Sequence, residues 1–97
     1  MASAFTKKQA CVLLIKAAKV KHLAVENPMG RYSCVLYAEP KQYFIFQLHY
    51  AGGEPKDWVG STLAGYYAVR KGDHAVLQWD FANDIPGKTI GQAPNWR

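Results

Sequence analysis

The chain begins with a stretch in which apolar residues recur at helical spacing. On a wheel of 100° per residue they fill one broad arc: Ala10, Cys11, Leu13, Leu14, Ala17, Ala18 and Val20. The opposite arc holds Lys8, Gln9, Lys16 and Lys19, interrupted by Val12 as an exposed apolar point. Thr6 is the expected N-cap. The pattern predicts an amphipathic helix over residues 6–22 that packs on a sheet.

After the turn signal Asn27-Pro28-Met29-Gly30, the apolar period changes from helical spacing to alternation. Four segments are strand-like, at residues 31–38, 42–50, 62–71 and 74–81. In the second, the face carrying Phe44, Phe46, Leu48 and Tyr50 is the expected core face, because it is uniformly apolar. The pattern predicts an α+β fold, with one N-terminal helix on a four-stranded antiparallel sheet that meanders over residues 31–81.

Two segments fall outside this pattern. Residues 82–97 are rich in Pro and Gly, which predicts an extended C-terminal tail within a single domain of 97 residues. The connection at residues 51–61 contains Trp58, for which two interpretations stay open. The side chain folds back to cap the core edge, or it is presented to a partner.

The positive charge is local. The net charge is +5, and residues 1–22 hold five lysines and no acidic residue, so the rest of the chain is neutral. This favours a solvated helix face, and it leaves open a nucleic-acid-associated protein that contacts phosphates through Lys8, Lys16 and Lys19. No interleaving of aromatic and basic residues marks a stacking platform for bases.

The cysteine and hydropathy patterns bear on the compartment. Cys11 and Cys34 form no CxxC pair and have no secretory context, which predicts buried free thiols. The longest apolar run, Ala10 to Ile15, is six residues, whereas a membrane-spanning helix needs about 20. We therefore expect a cytoplasmic protein that does not enter a membrane.

No pattern of catalytic or metal-binding residues stands out. His22, His49 and His74 lack the spacing that places two imidazoles on one helix or strand face. No nucleophile motif accompanies Cys11, Cys34 or Ser61. We expect no metal, no cofactor and no catalytic residue, although a small enzyme stays open as an alternative.

The last two predicted strands carry a resemblance. The GYYAV segment at residues 65–69, followed by Val76 and Trp79, is similar to the ending of small bacterial cystatin-like orphan and peptidase-inhibitory domains. The resemblance covers residues 6–81 and implies a curved sheet wrapped around a helix. The inhibitory motifs of cystatins are present only as fragments, at Val59-Gly60 and Pro94-Asn95-Trp96. The resemblance therefore implies an architecture and carries no activity with it.

The surplus of aromatic residues suggests a function. A sheet covered by one helix has a second, uncovered face, and Tyr and Trp are enriched where proteins meet partners. We expect a non-catalytic binding module that uses the aromatic sheet face, or the groove between helix and sheet, for a protein partner, a second copy in a homodimer or a small ligand. The expected contact residues are Tyr43, Ile45, His49, Trp58, Tyr66 and Trp79.

Overall fold

The protein combines one helix with one antiparallel sheet. The structure is a computed structural model and describes residues 5–24, 29–52 and 62–92. Helix α1 (Lys7–Lys21) precedes five strands, which are β1 (Arg31–Ala38), β2 (Tyr43–Ala51), β3 (Leu63–Arg70), β4 (Ala75–Asp80) and β5 (Ile85–Gln92). The predicted α+β class is confirmed, and the helix and the first four strands lie within a residue or two of their predicted positions.

The helix begins at a reciprocal cap. Thr6 Oγ1 accepts a hydrogen bond from the Gln9 amide at 3.2 Å, and Gln9 Oε1 accepts one from the Thr6 amide at 2.9 Å. Two of the donors that a helix start leaves unpaired are thereby satisfied. The helix ends at His22, whose backbone is left-handed with φ 53°. The predicted cap at Thr6 is confirmed.

The sheet has five strands, so the prediction of four was wrong. Their order is β1-β2-β3-β4-β5, with every neighbouring pair antiparallel. The expected tail contains β5, which pairs with β4 from Asp80↔Ile85 to Ala75↔Gln92. Pro86 and the glycines of this segment resemble breakers in sequence, but an edge strand tolerates them because one side of its backbone needs no partner.

Turn chemistry positions this last strand. Asp80 accepts hydrogen bonds from the Asn83 amide at 3.2 Å and from the Asn83 side chain at 2.9 Å. These bonds hold the pKa of Asp80 below its ordinary value. Gly87 lies so close to β4 that an added Cβ would approach the Gln78 carbonyl oxygen to 3.1 Å. A short loop and a glycine therefore allow β5 to close on β4.

The main core lies between the helix and one sheet face. Helix residues Ala10, Leu14, Ala17 and Ala18 are buried against Phe44, Phe46, Leu48, Tyr67, Val69 and Val76. The small alanines let the helix axis approach the large rings of β2. The predicted core face of β2 is confirmed, and Val12 is exposed on the outer side of the helix, as its position on the wheel predicts.

The two cysteines form a disulfide, so the expectation of free thiols was wrong. Cys11 in α1 and Cys34 in β1 are bridged, with their Cα atoms 6.0 Å apart. Cys11 lies on the side of the helix that contacts β1, and Cys34 alternates onto the helix side of its strand. Helical spacing and strand alternation together bring the two sulfur atoms into contact, which their separation in sequence does not reveal.

None of the helices that the structure describes could cross a membrane. Helix α1 has 15 residues, five of them lysines, whereas a span needs about 20 apolar residues.

Removing the bridge should destabilise the fold. The disulfide links residues 23 positions apart, and closing a loop of this size stabilises a domain by about 3 kcal/mol in the chain-entropy account. We expect the double variant Cys11→Ala/Cys34→Ala to lose about 3 kcal/mol of unfolding free energy, measured by guanidinium denaturation. The parent protein under reducing agent is the matched control. Equal stability of all three samples, or two titratable thiols in the untreated parent, would contradict the bridge.

Acid should weaken the fold through two turn carboxylates. Hydrogen bonds from the Ala75 amide and from Arg70 lower the pKa of Asp73, and those from Asn83 lower the pKa of Asp80. Because each folded-state pKa lies below the ordinary value of 3.8, their stabilisation is full above that pH and is lost as the pH falls through the folded pKa. We expect Asp73→Asn/Asp80→Asn to flatten the acid side of the profile of unfolding free energy against pH. An unchanged slope below pH of about 4 would contradict this.

Candidate binding site

A second, smaller core lies on the sheet face that points away from the helix, called the open face below. Ile45, Ala68, Leu77 and Trp79 are buried there, although no helix residue belongs to this cluster. Tyr43, Tyr66 and Ala38 pack around them. This face therefore covers its own apolar centre with aromatic side chains, because the single helix is used on the other face.

The structure brings most of the sequence-predicted contact residues onto this face. Tyr43, Ile45 and His49 come from β2, Tyr66 from β3 and Trp79 from β4. Trp58, the sixth predicted residue, lies outside the described residues. The five that are described therefore share one face, which the sequence alone did not establish for Tyr66 and Trp79.

Three of these residues line a groove at one end of the open face, called the aromatic groove below. Its volume is about 610 Å³. The rings of Tyr43 and Trp79 meet in it at a centroid distance of 5.3 Å, and Ile45 lies beside them. The remaining lining comes from the β1–β2 connection and from the residue before β5: Ala38, Glu39, Pro40, Lys41, Gln42 and Asp84.

Tyr43 is held in place by the neighbouring strand. It pairs in register with Arg70 of β3, whose guanidinium donates a hydrogen bond to the Tyr43 hydroxyl. Arg70 also donates to Asp73 Oδ2 at 2.8 Å. The Tyr43 hydroxyl and then Asp73 raise the pKa of Arg70, so the guanidinium stays charged. One wall of the aromatic groove is therefore fixed before any ligand arrives.

Trp79 forms the buried part of the groove and carries an unpaired donor. Its side chain is only 9% exposed, and its indole Nε1 has no hydrogen-bond acceptor in the part of the chain that the structure describes. Leaving a buried N–H group unpaired costs about 1–3 kcal/mol. The groove is thus lined by a side chain that would gain from an added acceptor.

Further along the open face, aromatic rings form a stack. Tyr66 and Phe81 are stacked with centroids 4.5 Å apart, and Tyr37 meets Tyr66 edge-on at 5.2 Å. Phe81 and Tyr37 are exposed. Two aromatic patches, the groove and this stack, therefore share one face.

A chain of polar side chains completes the face. Gln47 Nε2 donates to the Tyr66 hydroxyl at 3.2 Å, and Gln47 Oε1 lies 3.3 Å from His49 Nε2. Because that oxygen only accepts, His49 carries a proton on Nε2. His49 Nδ1 lies 2.9 Å from Thr62 Oγ1. None of Thr62, His49 and Gln47 lines the aromatic groove.

Some residues of this face were not among the sequence predictions. Tyr37 shares strand parity with the exposed Val35, so alternation in β1 contained a usable signal. Phe81 and Asp84 lie in the turn before β5, where the sequence predicted the end of the fourth strand for Phe81 and the tail for Asp84. The turn held by Asp80, which no local pattern announces, places Asp84 beside Trp79.

No metal centre emerges from the described ranges, which contain no group of three or more His, Cys, Asp and Glu side chains positioned to hold a metal ion. Comparison with known proteins adds no further assignment: no protein-family model, no curated protein and no solved structure matches this chain. The site is therefore interpreted from its own geometry.

Proposed function

We propose that the protein is a non-catalytic binding module and that the aromatic groove is its binding site. The ligand is a molecule or peptide segment that offers a hydrogen-bond acceptor together with an apolar body. The acceptor pairs with the indole N–H of Trp79, and the apolar body packs against Tyr43 and Pro40. Ligand pockets commonly combine apolar walls with a few placed polar groups.

The observation that carries this proposal is that Trp79 lines an aromatic groove while its buried indole N–H has no acceptor among the described residues. Buried polar groups in folded proteins are almost always paired, and exceptions tend to mark functional positions. The preorganised Tyr43 supports the same interpretation, since a wall that is already fixed loses little entropy on binding.

The geometry favours the open face over the groove between helix and sheet. Side chains fill the space beneath the helix, where Leu14, Leu48 and Val69 are fully buried. A ligand beneath the helix would have to displace the main core, and the space left at the rim of the helix, about 480 Å³ beside Phe5, Leu13 and His74, is smaller than the aromatic groove. The open face offers room without that cost.

The disulfide bears on where this binding takes place. Disulfides persist in oxidising compartments and are rare in the cytoplasm of most cells. The Cys11–Cys34 bridge therefore supports an oxidising compartment as the site of action, in place of the cytoplasmic location expected from the sequence.

Two alternatives stay as predictions. For nucleic-acid binding, Lys8, Lys16 and Lys19 are exposed on the helix, and Lys16 and Lys19 line a shallow depression together with the apolar Val12 and Ile15. For an enzyme, Thr62, His49 and Gln47 form a hydroxyl–imidazole–amide series of the kind that activates nucleophiles. That series stands outside the groove, so the groove and the series support different functions.

The proposal is tested by a fragment titration followed by NMR. The probes are a set of small amides, carboxylates and monosaccharides, and the readout is the indole N–H signal of Trp79, assigned by its loss in Trp79→Phe. We expect binders to shift this signal, because they supply the missing acceptor. Trp79→Phe should weaken the binders by about three- to tenfold, as expected for one hydrogen bond of about 1 kcal/mol.

Matched controls separate the groove from the rest of the surface. Tyr43→Ala should weaken the same binders, whereas Val12→Ala, on the exposed side of the helix, should leave their affinity unchanged. The proposal would be overturned if no fragment shifts the Trp79 signal, or if shifts gather on the helix lysines. The proposal would also be refuted if Trp79→Phe and Tyr43→Ala both bind the fragments as strongly as the parent protein does.

A further inference from the structure

The two edges of the sheet differ in how well they resist pairing with another strand. β5 carries Pro86, Gly87, Lys88 and Gly91, and its pairing with β4 has two register shifts. Prolines, lysines and bulges are the usual means by which proteins protect a sheet edge. β1, with the sequence RYSCVLYA, contains no Pro, Gly or Lys, and its one register shift lies near its end, between Leu36 and Ala38. Among the described residues, the edge formed by residues 33–38, called the β1 edge below, is the one that carries none of these protections.

The β1 edge is also held rigid from one side. The disulfide ties Cys34 to the helix, and the Tyr32 hydroxyl donates to the Ala18 carbonyl at 3.5 Å. β1 pairs with β2 along its whole length. An edge strand fixed in this way loses little conformational freedom when another strand is added.

The side chains on each side of the β1 edge define what fits there. On the open face, Val35 is 52% exposed and Tyr37 is 47% exposed. On the helix side, Cys11 points at β1, to which it is bridged. Lys8, Ile15 and Lys19 lie in the same row along the helix surface, because each is three or four residues from the next member of the row. Both lysines are exposed. An added strand would therefore have apolar neighbours on one face and cationic neighbours on the other.

We propose that the β1 edge accepts an extended segment of a partner protein by strand addition, and that this segment alternates acidic with apolar residues. Successive side chains of a strand point to opposite faces, so the acidic ones reach Lys8 and Lys19 while the apolar ones pack on Val35 and Tyr37. Backbone hydrogen bonds supply affinity in such complexes, and the alternate side chains supply specificity. A second copy of this chain fits less well, because an antiparallel pair would bring the same lysine rows together. This site shares only Ala38 with the aromatic groove and does not depend on it.

The test uses synthetic peptides as probes. The first is a capped octapeptide of alternating Glu and Val, labelled for fluorescence anisotropy, and the second is its counterpart with Lys in place of Glu. We expect the acidic probe to bind with micromolar affinity that weakens as salt is added, and the basic probe not to bind. Amide hydrogen exchange of residues 33–38 should slow on binding, because their free backbone groups become paired.

Two changes to the probe test the backbone pairing without altering the protein. N-methylation of every second peptide amide removes half of the hydrogen-bond donors of the probe. Two such probes can be made, one methylated at the odd-numbered residues and one at the even-numbered residues. In the added strand, either the odd-numbered or the even-numbered amides face β1. We therefore expect one methylated probe to lose binding and the other to keep it. If both methylated probes bind as well as the parent probe, strand addition is refuted.

Matched protein variants locate the edge. Val35→Asp replaces an apolar contact with a carboxylate that the valines of the probe would have to desolvate, and should weaken the probe at least about tenfold. Ile85→Asp is the control, because Ile85 is 51% exposed on the other edge strand. The affinity of this variant for the acidic probe should stay within about twofold of that of the parent protein. Lys8→Gln/Lys19→Gln should weaken the probe about three- to tenfold, whereas Lys88→Gln, on the other edge strand, should not.

Three results would overturn the proposal. They are no binding of the acidic probe at millimolar concentration in low salt, equal losses in Val35→Asp and Ile85→Asp, and a mass that doubles with protein concentration and returns to the monomer in Val35→Asp. The last result would assign the β1 edge to a second copy. Loss of fragment binding in Trp79→Phe with intact peptide binding would separate this site from the aromatic groove.

Discussion

The structure depends on the burial of one helix against one face of a five-stranded sheet. A helix of 15 residues is roughly 22 Å long, which is close to the width of five strands spaced at about 4.8 Å. The helix is therefore large enough to cover one face of the sheet, and the second face receives no helix residue. Leu14 and three buried alanines of α1 pack directly on the rings of β2. The disulfide then fixes the helix to the edge strand β1. The consequence is that the other face must cover its apolar centre with its own side chains.

That constraint explains why the open face is aromatic. Ile45, Ala68 and Leu77 are almost fully buried although no helix lies over them. Large flat rings, those of Tyr43, Tyr66 and Trp79, cover them from neighbouring strands. Rings that cover an uneven surface leave spaces between them, and the aromatic groove between Tyr43 and Trp79 is such a space. The face that completes the fold is thus also the face suited to binding.

The parts of the fold that follow from local periodicity could be predicted from the sequence. The helix with its cap at Thr6, and the strand from Arg31 to Ala38, appear where the apolar period indicated. β5 could not be predicted in this way, because Pro86 and Gly87 mark it as irregular and only its pairing with β4 makes it a strand. The disulfide was missed for a similar reason, since the contact between Cys11 and Cys34 arises from docking of the helix on β1 and not from their spacing.

The candidate site, like the fold, could be predicted from the sequence only in part. Alternation in β2 was enough to set Tyr43 and Ile45 apart from the core face, but it did not show that Tyr66 and Trp79 share their face. The features that make this face a site are tertiary. Arg70 fixes the Tyr43 hydroxyl across two strands, the Asp80 turn brings Asp84 beside the groove, and burial leaves the Trp79 donor without an acceptor among the described residues. None of these has a signature in the order of residues along the chain.

The helix covers one face of the sheet and, among the described residues, leaves the other face accessible. The most direct measurement is paramagnetic relaxation of side-chain protons by a neutral, soluble gadolinium chelate at dilute protein concentration. We expect strong relaxation of Val35, Tyr37 and Phe81 on the open face and near its edge, and protection of Leu14, Phe46 and Leu48 beneath the helix. Equal protection of both sets would contradict it, because the open face would then be covered in solution.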